Sequence, residues 1–443
     1  MNRFLNGKSV FAVLALAAFV AAGGGPQRGP RIVEIRQPFV PPADAPEFVA
    51  DHVIVKFERE LAPVAIDAMF GPLGARWLSA GVDHAFDLLQ VPAGTVHDWV
   101  ALLSKLPIVD YAEPDYIAWM TSTPNDPYFF PYQWNFYDYG TLSNGYPSNF
   151  GVQGMTAWNT TTGSGAVVAI CDTGVAYENF GIYSQAPDLA GATFVSPNDY
   201  VNNDSHPNDD NGHGTHVCGT VRQATDNGTG VAGLAYDCQI MPVKVLGSNG
   251  SGAYWAIANG IRWAADNGAN VINLSLSGST GSTTLKSAVD YAWGKDVVIC
   301  AASGNGGRNT VAYPARYANC IAIGATRFDG ARCNYSQYGI DLDVVAPGGD
   351  GNQDQNHDGF GDLIVQQTFS GSPGNFGYYG FSGTSMATPH VAAVAALVKA
   401  NQNGYTNAQV RAAIETTCKD LYKAGWDNKS GWGLVNAAAA IQY

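Results

Sequence analysis

Four short stretches carry side chains that could act together on a carbonyl group. "G-T-S-M-A-T-P-H" sets Ser385 among small residues ahead of a long Ala/Val/Leu run, with Pro389 close to the start of the expected helix. "V-V-A-I-C-D-T-G" ends an apolar run at Asp172, and "N-G-H-G-T-H-V-C-G-T" places His213 at the mouth of a helix with glycine on either side. "V-I-C-A-A-S-G-N-G-G" puts Asn305 on a glycine-flanked turn after another apolar run. Singly, each has an ordinary reading: an Asx turn, a structural histidine, a polar loop residue, a serine helix cap. Together they supply a hydroxyl nucleophile, a base, a carboxylate to orient that base, and an amide donor for a developing oxyanion. Acyl transfer is the reaction class that needs this set. "G-T-S-M-A" is a near miss for the G-x-S-x-G elbow, whose fold runs Ser, acid, His along the chain. Here the order is Asp, His, Ser, and only His390 follows the serine, so that hydrolase fold is disfavoured.

These residues need a scaffold that brings chain positions far apart to one edge. From residue 121 onward, "AVVAICDTGV", "QIMPVKVLG", "ANVINLSLSG", "DVVICAASG", "CIAIGATR" and "LDVVAPGG" are continuous β-branched runs, as in strands buried on both faces. Helical stretches such as "GAYWAIANGIRWAADNG" and "TTLKSAVDYAWGKD" lie between them. The alternation predicts an α/β domain, a mostly parallel sheet with helices on both faces, over residues 121–443. Functional groups in such sheets gather beyond the carboxyl ends of the strands, where Asp172 and Asn305 fall.

The amino-terminal part reads as separate segments. Arg3 and Lys8 precede "SVFAVLALAAFVAA", which ends in small residues at Ala21-Ala22, the pattern of a signal peptide over 1–22; a membrane anchor is the alternative. Residues 23–48 are rich in Gly and Pro and read as a linker. From 49 to 120, strand and helix patterns alternate in "DHVIVKF", "LAPVAIDAMFGPLG", "AFDLLQVP", "TVHDWVALLSKLP" and "VDYAEPDYIAWM", a small α+β unit ending at the turn-prone "TSTPNDP".

Composition narrows the partners. The 443 residues carry a net charge of −14 with no basic run, which argues against nucleic acid and anionic membrane. After residue 121 the acids are Asp apart from Glu178 and Glu415, a bias suited to turns and oxygen-ligand metal sites. Of the seven cysteines, Cys171, Cys218 and Cys300 sit in apolar runs and read as buried small hydrophobes. Cys238, Cys320, Cys333 and Cys418 are open to disulfide pairing in an oxidising compartment.

"AICDTGV", "GHGTHVCGT", "AASGN" and "GTSMATPHVAA" closely resemble the four signatures of the subtilisin-like serine proteases, the subtilases, and the match extends to "GWGLVNAAAA". The resemblance implies a secreted, monomeric serine endopeptidase. Ser385 would be its nucleophile, His213 its general base and Asp172 the orienting carboxylate, with Asn305 beside the Ser385 N–H as oxyanion donor. His216 and His390 would be structural. Substrate would lie extended between "LGSNGSGAYW", with Leu246, Gly247 and Gly250, and "SLSGSTG", with Ser275, Leu276, Ser277 and Gly278. Positions matching the pocket before the scissile bond are Ala302, Gly304, Gly306 and Ala312; none is charged, so an apolar or aromatic residue is expected there. Residues 49–120 resemble a subtilase propeptide, implying a ferredoxin-like inhibitor and intramolecular chaperone. No second β-domain of the kexin-like branch is expected in the stretch that follows the protease motifs. A catalytically silent subtilase fold used as a binding module is the competing reading, and the intact Asp172, His213, Asn305 and Ser385 weigh against it.

Two structural calcium sites are expected. Asp126, Asp188 and Asn227 match side-chain ligands of the family's strong site. Independently, "D-Q-N-H-D-G-F-G-D" repeats oxygen side chains at Asp354, Asn356 and Asp358, then offers Gly359 for a turn, the Phe360 carbonyl and Asp362. That is the spacing of an EF-hand-type loop without its closing Glu, for which Asp350 or Asn352 could substitute. Turn residues at either place are the plainer alternative.

Overall fold

The computed structural model describes residues 27–32, 48–81, 85–116, 124–143 and 146–443. The expected signal peptide and the expected propeptide junction at 120–123 lie outside them. The chain divides into two compact units, one of Phe39–Thr121 and the other of Met1–Pro38 with Ser122–Tyr443.

Strand β1 (Gln27–Ile32) belongs to the larger unit and falls inside the segment that reads as a linker. The smaller unit runs β2 (Phe48–Phe57), α1 (Pro63–Phe70), β3 (Arg76–Ala80), β4 (Asp87–Gln90), α2 (Val96–Leu103) and β5 (Val109–Tyr116). Its antiparallel sheet has the order β3-β4-β2-β5, the βαββαβ arrangement of a ferredoxin-like fold. The period-two pattern of β2 buries Val53, Val55 and Phe57 against Ile66 and Phe70 of α1 and Trp99 and Leu103 of α2. Strand β3 was not legible in sequence: "RWLSA" is short, and only Trp77, Leu78 and Ala80 are even partly covered.

After β1 the larger unit continues with α3 (Phe129–Tyr132), the hairpin of β6 (Thr141–Ser143) and β7 (Tyr146–Ser148), and α4 (Gly154–Trp158). Its centre is a parallel sheet built from β8 (Val167–Asp172), β9 (Asn198–Asp199), β10 (Gln239–Lys244), β11 (Val271–Leu274), β12 (Val298–Ala302), β13 (Ile321–Thr326) and β14 (Val344–Pro347). The order is β14-β13-β12-β11-β8-β10-β9, so β8 lies between the two directions of winding. Helices α5 (His213–Arg222), α6 (Tyr254–Asp266) and α7 (Thr283–Gly294) lie along the chain between its strands. The strand runs are continuous because both faces are covered. Val168 and Ile170 of β8 enter the core with α5 and α8 (Thr384–Asn401), whereas Ala169 and Cys171 enter the core with α6 and α7.

All six long strands expected from sequence are present. The antiparallel pair β15 (Ile364–Phe369) and β16 (Phe376–Ser382) was not expected, nor was β1, which pairs with β16 from Gln27 opposite Ser382 to Ile32 opposite Tyr378. Strand β16 runs directly into α8, in which every residue from Thr384 to Val398 is buried. Helix α9 (Asn407–Thr416) starts at a Thr406–Gln409 capping box, and α10 (Ala437–Ala440) ends the unit. All seven cysteines are unpaired, six of them buried, so none of the disulfides left open for Cys238, Cys320, Cys333 and Cys418 is formed.

Candidate active site

Asp172 is the last residue of β8 and is fully buried. Its Oδ1 accepts from the Thr173 N–H at 2.7 Å and faces His213 Nδ1 at 2.6 Å. The first turn of α5 can approach the tip of β8 this closely because residue 214 is glycine. A Cβ there would stand 2.0 Å from the Gly174 carbonyl and 3.1 Å from the Asp172 side chain. With Nδ1 carrying the proton shared with Asp172, Nε2 presents the basic lone pair. His213 itself is only 7% exposed.

The loop that delivers His213 is fixed by a residue the sequence reading did not single out. Buried Asp209 accepts from Thr173 Oγ1 at 2.8 Å and from the Asn211 and Gly212 N–H groups through Oδ1. Through Oδ2 it accepts from the Thr215 N–H and hydroxyl at 2.9 and 2.7 Å. One carboxylate thus satisfies the amino end of α5 and ties it to the residue after Asp172. Its only sequence signal was an acid four residues before a glycine-flanked histidine. Lys244, at the end of β10, was missed as well. It is fully buried, and its ammonium donates to the Thr173 carbonyl, to Asp210 Oδ1 at 2.7 Å and to the Leu246 carbonyl at 3.0 Å.

Ser385 is the second residue of α8, at the positive end of the helix. Pro389 is the sixth residue rather than a first-turn one, so the Ser385 carbonyl has no intrahelical N–H to accept. Ser275 supplies the partner: its Oγ donates to that carbonyl at 2.8 Å, while Ser385 Oγ donates to the Ser275 carbonyl at 3.1 Å. The proline lets a residue beyond β11 hold the serine from both sides.

Asn305 follows β12. Its Oδ1 accepts from the Thr384 N–H at 2.9 Å and the Thr384 hydroxyl at 2.8 Å. Both bonds require the oxygen on that side, which leaves Nδ2 as the outward donor. A Cβ placed on Gly383 would lie 3.4 Å from that nitrogen. His216 and His390, expected to be structural, are so. His216 Nε2 meets the Tyr379 carbonyl and its ring stacks on Phe381, while buried His390 lies between Asn135 Nδ2 and the Met386 carbonyl, each at 2.8 Å.

The expected substrate segments flank the tip of β8 on both sides. Leu246 follows β10 and its N–H donates to the Asp172 carbonyl at 3.0 Å; Gly247 and Gly250 form a turn closed by a 2.8 Å bond. Ser275 and Leu276 are buried after β11, Ser277 is exposed, and Gly278 exchanges backbone bonds with Tyr313. Ala302 and Ala312 are buried, and Gly304 and Gly306 pack against Gln337 Oε1.

The Asp126, Asp188 and Asn227 side chains come together. Asp188 Oδ1 faces Asn227 Nδ2 at 3.0 Å, and Asp126 Oδ2 accepts from the Asp226 N–H at 2.8 Å. Burial, opposed by hydrogen bonds, pushes the Asp126 and Asp188 carboxyls up to about 6 and about 7; each is nearly inaccessible, and the Asp126 charge contributes to the rise at Asp188. Hard oxygen donors that are costly to ionise together suit a divalent cation such as calcium. Among the described residues, no group of three His, Cys, Asp or Glu side chains is arranged to hold a metal by itself.

Residues 163–433 match the Subtilase family, Peptidase_S8, and residues 39–115 match the Fervidolysin N-terminal prodomain. The chain belongs to the subtilase family, whose members are serine endopeptidases, and carries an N-terminal prodomain of the fervidolysin type. It is 42% identical to thermitase of Thermoactinomyces vulgaris over 72% of this chain and all of that one. It is 38% identical to a thermophilic serine proteinase of Bacillus sp. (strain AK1) over 89% and 88% of the two chains. Among solved structures, proteases from Pseudoalteromonas arctica superpose with a TM-score of 0.62 at 34% identity, covering 72% of this chain and 99% of that one.

Proposed function

We propose that this chain is the precursor of a secreted, monomeric endopeptidase that cleaves through an acyl-enzyme formed on Ser385. The observation that carries the reading is the buried 2.6 Å contact between His213 Nδ1 and Asp172 Oδ1. It fixes one tautomer and makes Nε2 the base. Ser385 Oγ attacks the substrate carbonyl carbon and its proton passes to His213 Nε2. The new oxyanion takes hydrogen bonds from Asn305 Nδ2 and the Ser385 N–H. Collapse expels the amine, which leaves with the proton from His213. Water, deprotonated by His213, then attacks the acyl carbon and releases the acid and the free serine.

The uncharged Ala302, Gly304, Gly306 and Ala312 favour an apolar or aromatic residue before the scissile bond. Leu246, Gly247, Gly250 and Ser275–Gly278 would hold the substrate as an added strand. Asp126, Asp188 and Asn227 would hold a structural calcium ion, which supplies charge balance and plays no part in the chemistry. Residues 1–22 would direct export, and among the described residues no helix is long and apolar enough to cross a membrane. The test is hydrolysis of an unfolded protein by the matured enzyme, abolished by a serine-directed phosphonylating reagent that labels Ser385. Intact hydrolysis after complete labelling of Ser385 would end the assignment.

A further inference from the structure

The loop from Asp354 to Asp362 joins β14 to β15 and takes no part in the chemistry described above. Its spacing alone would not establish a site. The decisive feature is Asp362, which is 2% exposed and whose Oδ1 has no hydrogen-bond partner, while Oδ2 accepts the Gln355 N–H at 2.9 Å. Leaving a buried carboxylate oxygen without a donor is costly. Beside it is a cavity of about 20 Å³, enough for one water molecule or one ion, lined by Asn356, Asp358, Phe360 and Asp362, with Tyr132 and Trp134 across from them.

We infer that this cavity is a second calcium site, with Asp354 outside its lining as the residue that winds the loop, and with the side-chain oxygens of Asn356, Asp358 and Asp362 and the Phe360 carbonyl as its ligands. These ligands are positions three, five, nine and seven of a loop whose sixth residue, Gly359, has φ +88°, the left-handed turn that such a loop needs. Asp354 accepts the Asp358 and Gly359 N–H groups at 3.0 and 3.2 Å, so the loop is already wound around its first residue. Asp350 and Asn352, the candidates for a closing ligand, bond to each other instead and do not line the cavity. Water therefore completes the coordination. The rival occupant is a lone water bridging Asp362 Oδ1 and Trp134 Nε1, the latter also without a partner.

The site is independent of the catalytic assignment and is tested on the full chain carrying Ser385→Ala, which removes autolysis. Calcium stoichiometry is measured by titration calorimetry, and terbium is the second probe, because Tyr132 and Trp134 at the cavity should sensitise its emission. The expected result is two ions per chain, falling to one in Asp354→Ala/Asp358→Ala together with loss of most sensitised emission. Asp362→Asn, which keeps the shape and removes the charge, should lose the same ion while its thermal midpoint in chelator stays at or above that of its parent. Asp188→Asn should leave the sensitised emission in place. Unchanged stoichiometry and emission in both loop variants would overturn the site and leave the cavity to water.

Discussion

Asn305→Ala tests the oxyanion assignment most directly. The Thr384 N–H and hydroxyl hold Asn305 Oδ1 at 2.9 and 2.8 Å, so Nδ2 is aimed before substrate arrives and no binding energy goes into turning it. Truncation removes that donor while Asp172, His213 and Ser385 keep their partners. Losing one oxyanion donor costs about 10²–10³ in kcat, roughly 2.7–4 kcal/mol, a range that comes from the equivalent asparagine of a subtilisin and is carried over here. Two companions separate donation from mere support. Asn305→Asp still accepts both Thr384 bonds but turns an oxygen toward the oxyanion, so it should fall below Asn305→Ala. Thr384→Val removes one of the two anchors, a neutral hydrogen bond of about 1 kcal/mol, and should cost about fivefold. The assay is kcat and KM on a small peptide ester and the matching amide, with KM expected to stay nearly constant. A loss in kcat below about threefold for Asn305→Ala, under 1 kcal/mol, would remove the residue from the mechanism.

Ser385→Ala should abolish turnover and leave the precursor uncut, as read by mass spectrometry of the chain made in a protease-free host; full processing there would refute self-cleavage near 120–123. Lys244→Met strips donors from the Thr173 and Leu246 carbonyls and leaves Asp210 unpaired; because Asp210 is partly exposed, the expected cost is about 1–3 kcal/mol, below the usual range for a broken buried pair. Calorimetry on the Ser385→Ala background measures it, and an unchanged midpoint would contradict the role given to Lys244. Burial pushes His390 down from its ordinary 6.5 to about 3, so between those values the unfolded chain binds more protons than the folded one. Stability is then fully present above 6.5 and lost as pH falls toward 3. His390→Gln should flatten that acid limb by up to about 1.4 kcal/mol per pH unit, and an unaltered slope would show that the imidazole is not held neutral.

What sequence could reveal depended on how local the cause was. The six parallel strands announce themselves because burial on both faces removes any polar alternation, and the glycines around His213 and Asn305 mark close approaches such as the one at Gly214. The antiparallel pair before α8 was hidden: "IVQQTF" and "FGYYGFS" mix polar and apolar residues, and Gln366 and Gln367 are buried through tertiary hydrogen bonds to the Ala232 carbonyl and the Asp188 N–H. Asp209 and Lys244 escaped for the same reason. Thr173, which both of them hold, lies 36 residues from Asp209 and 71 from Lys244, and no spacing rule connects such partners. Nothing around Pro389 reveals that the carbonyl it leaves without an intrahelical donor is taken by Ser275, a residue beyond β11 and more than a hundred positions earlier.

The seven unpaired thiols give the molecule a distinctive kind of durability. Burial pushes Cys238 and Cys333 up to about 12 and the other five higher still, so almost none is thiolate at neutral pH. No covalent clasp closes any loop, and an oxidising or reducing medium leaves the native chain equally intact. A thiol reagent can reach the six buried sulfurs only when the core opens, so the pace of their alkylation is a clock for that opening. An enzyme that digests unfolded chains destroys its own opened copies, and that clock therefore also sets its working lifetime.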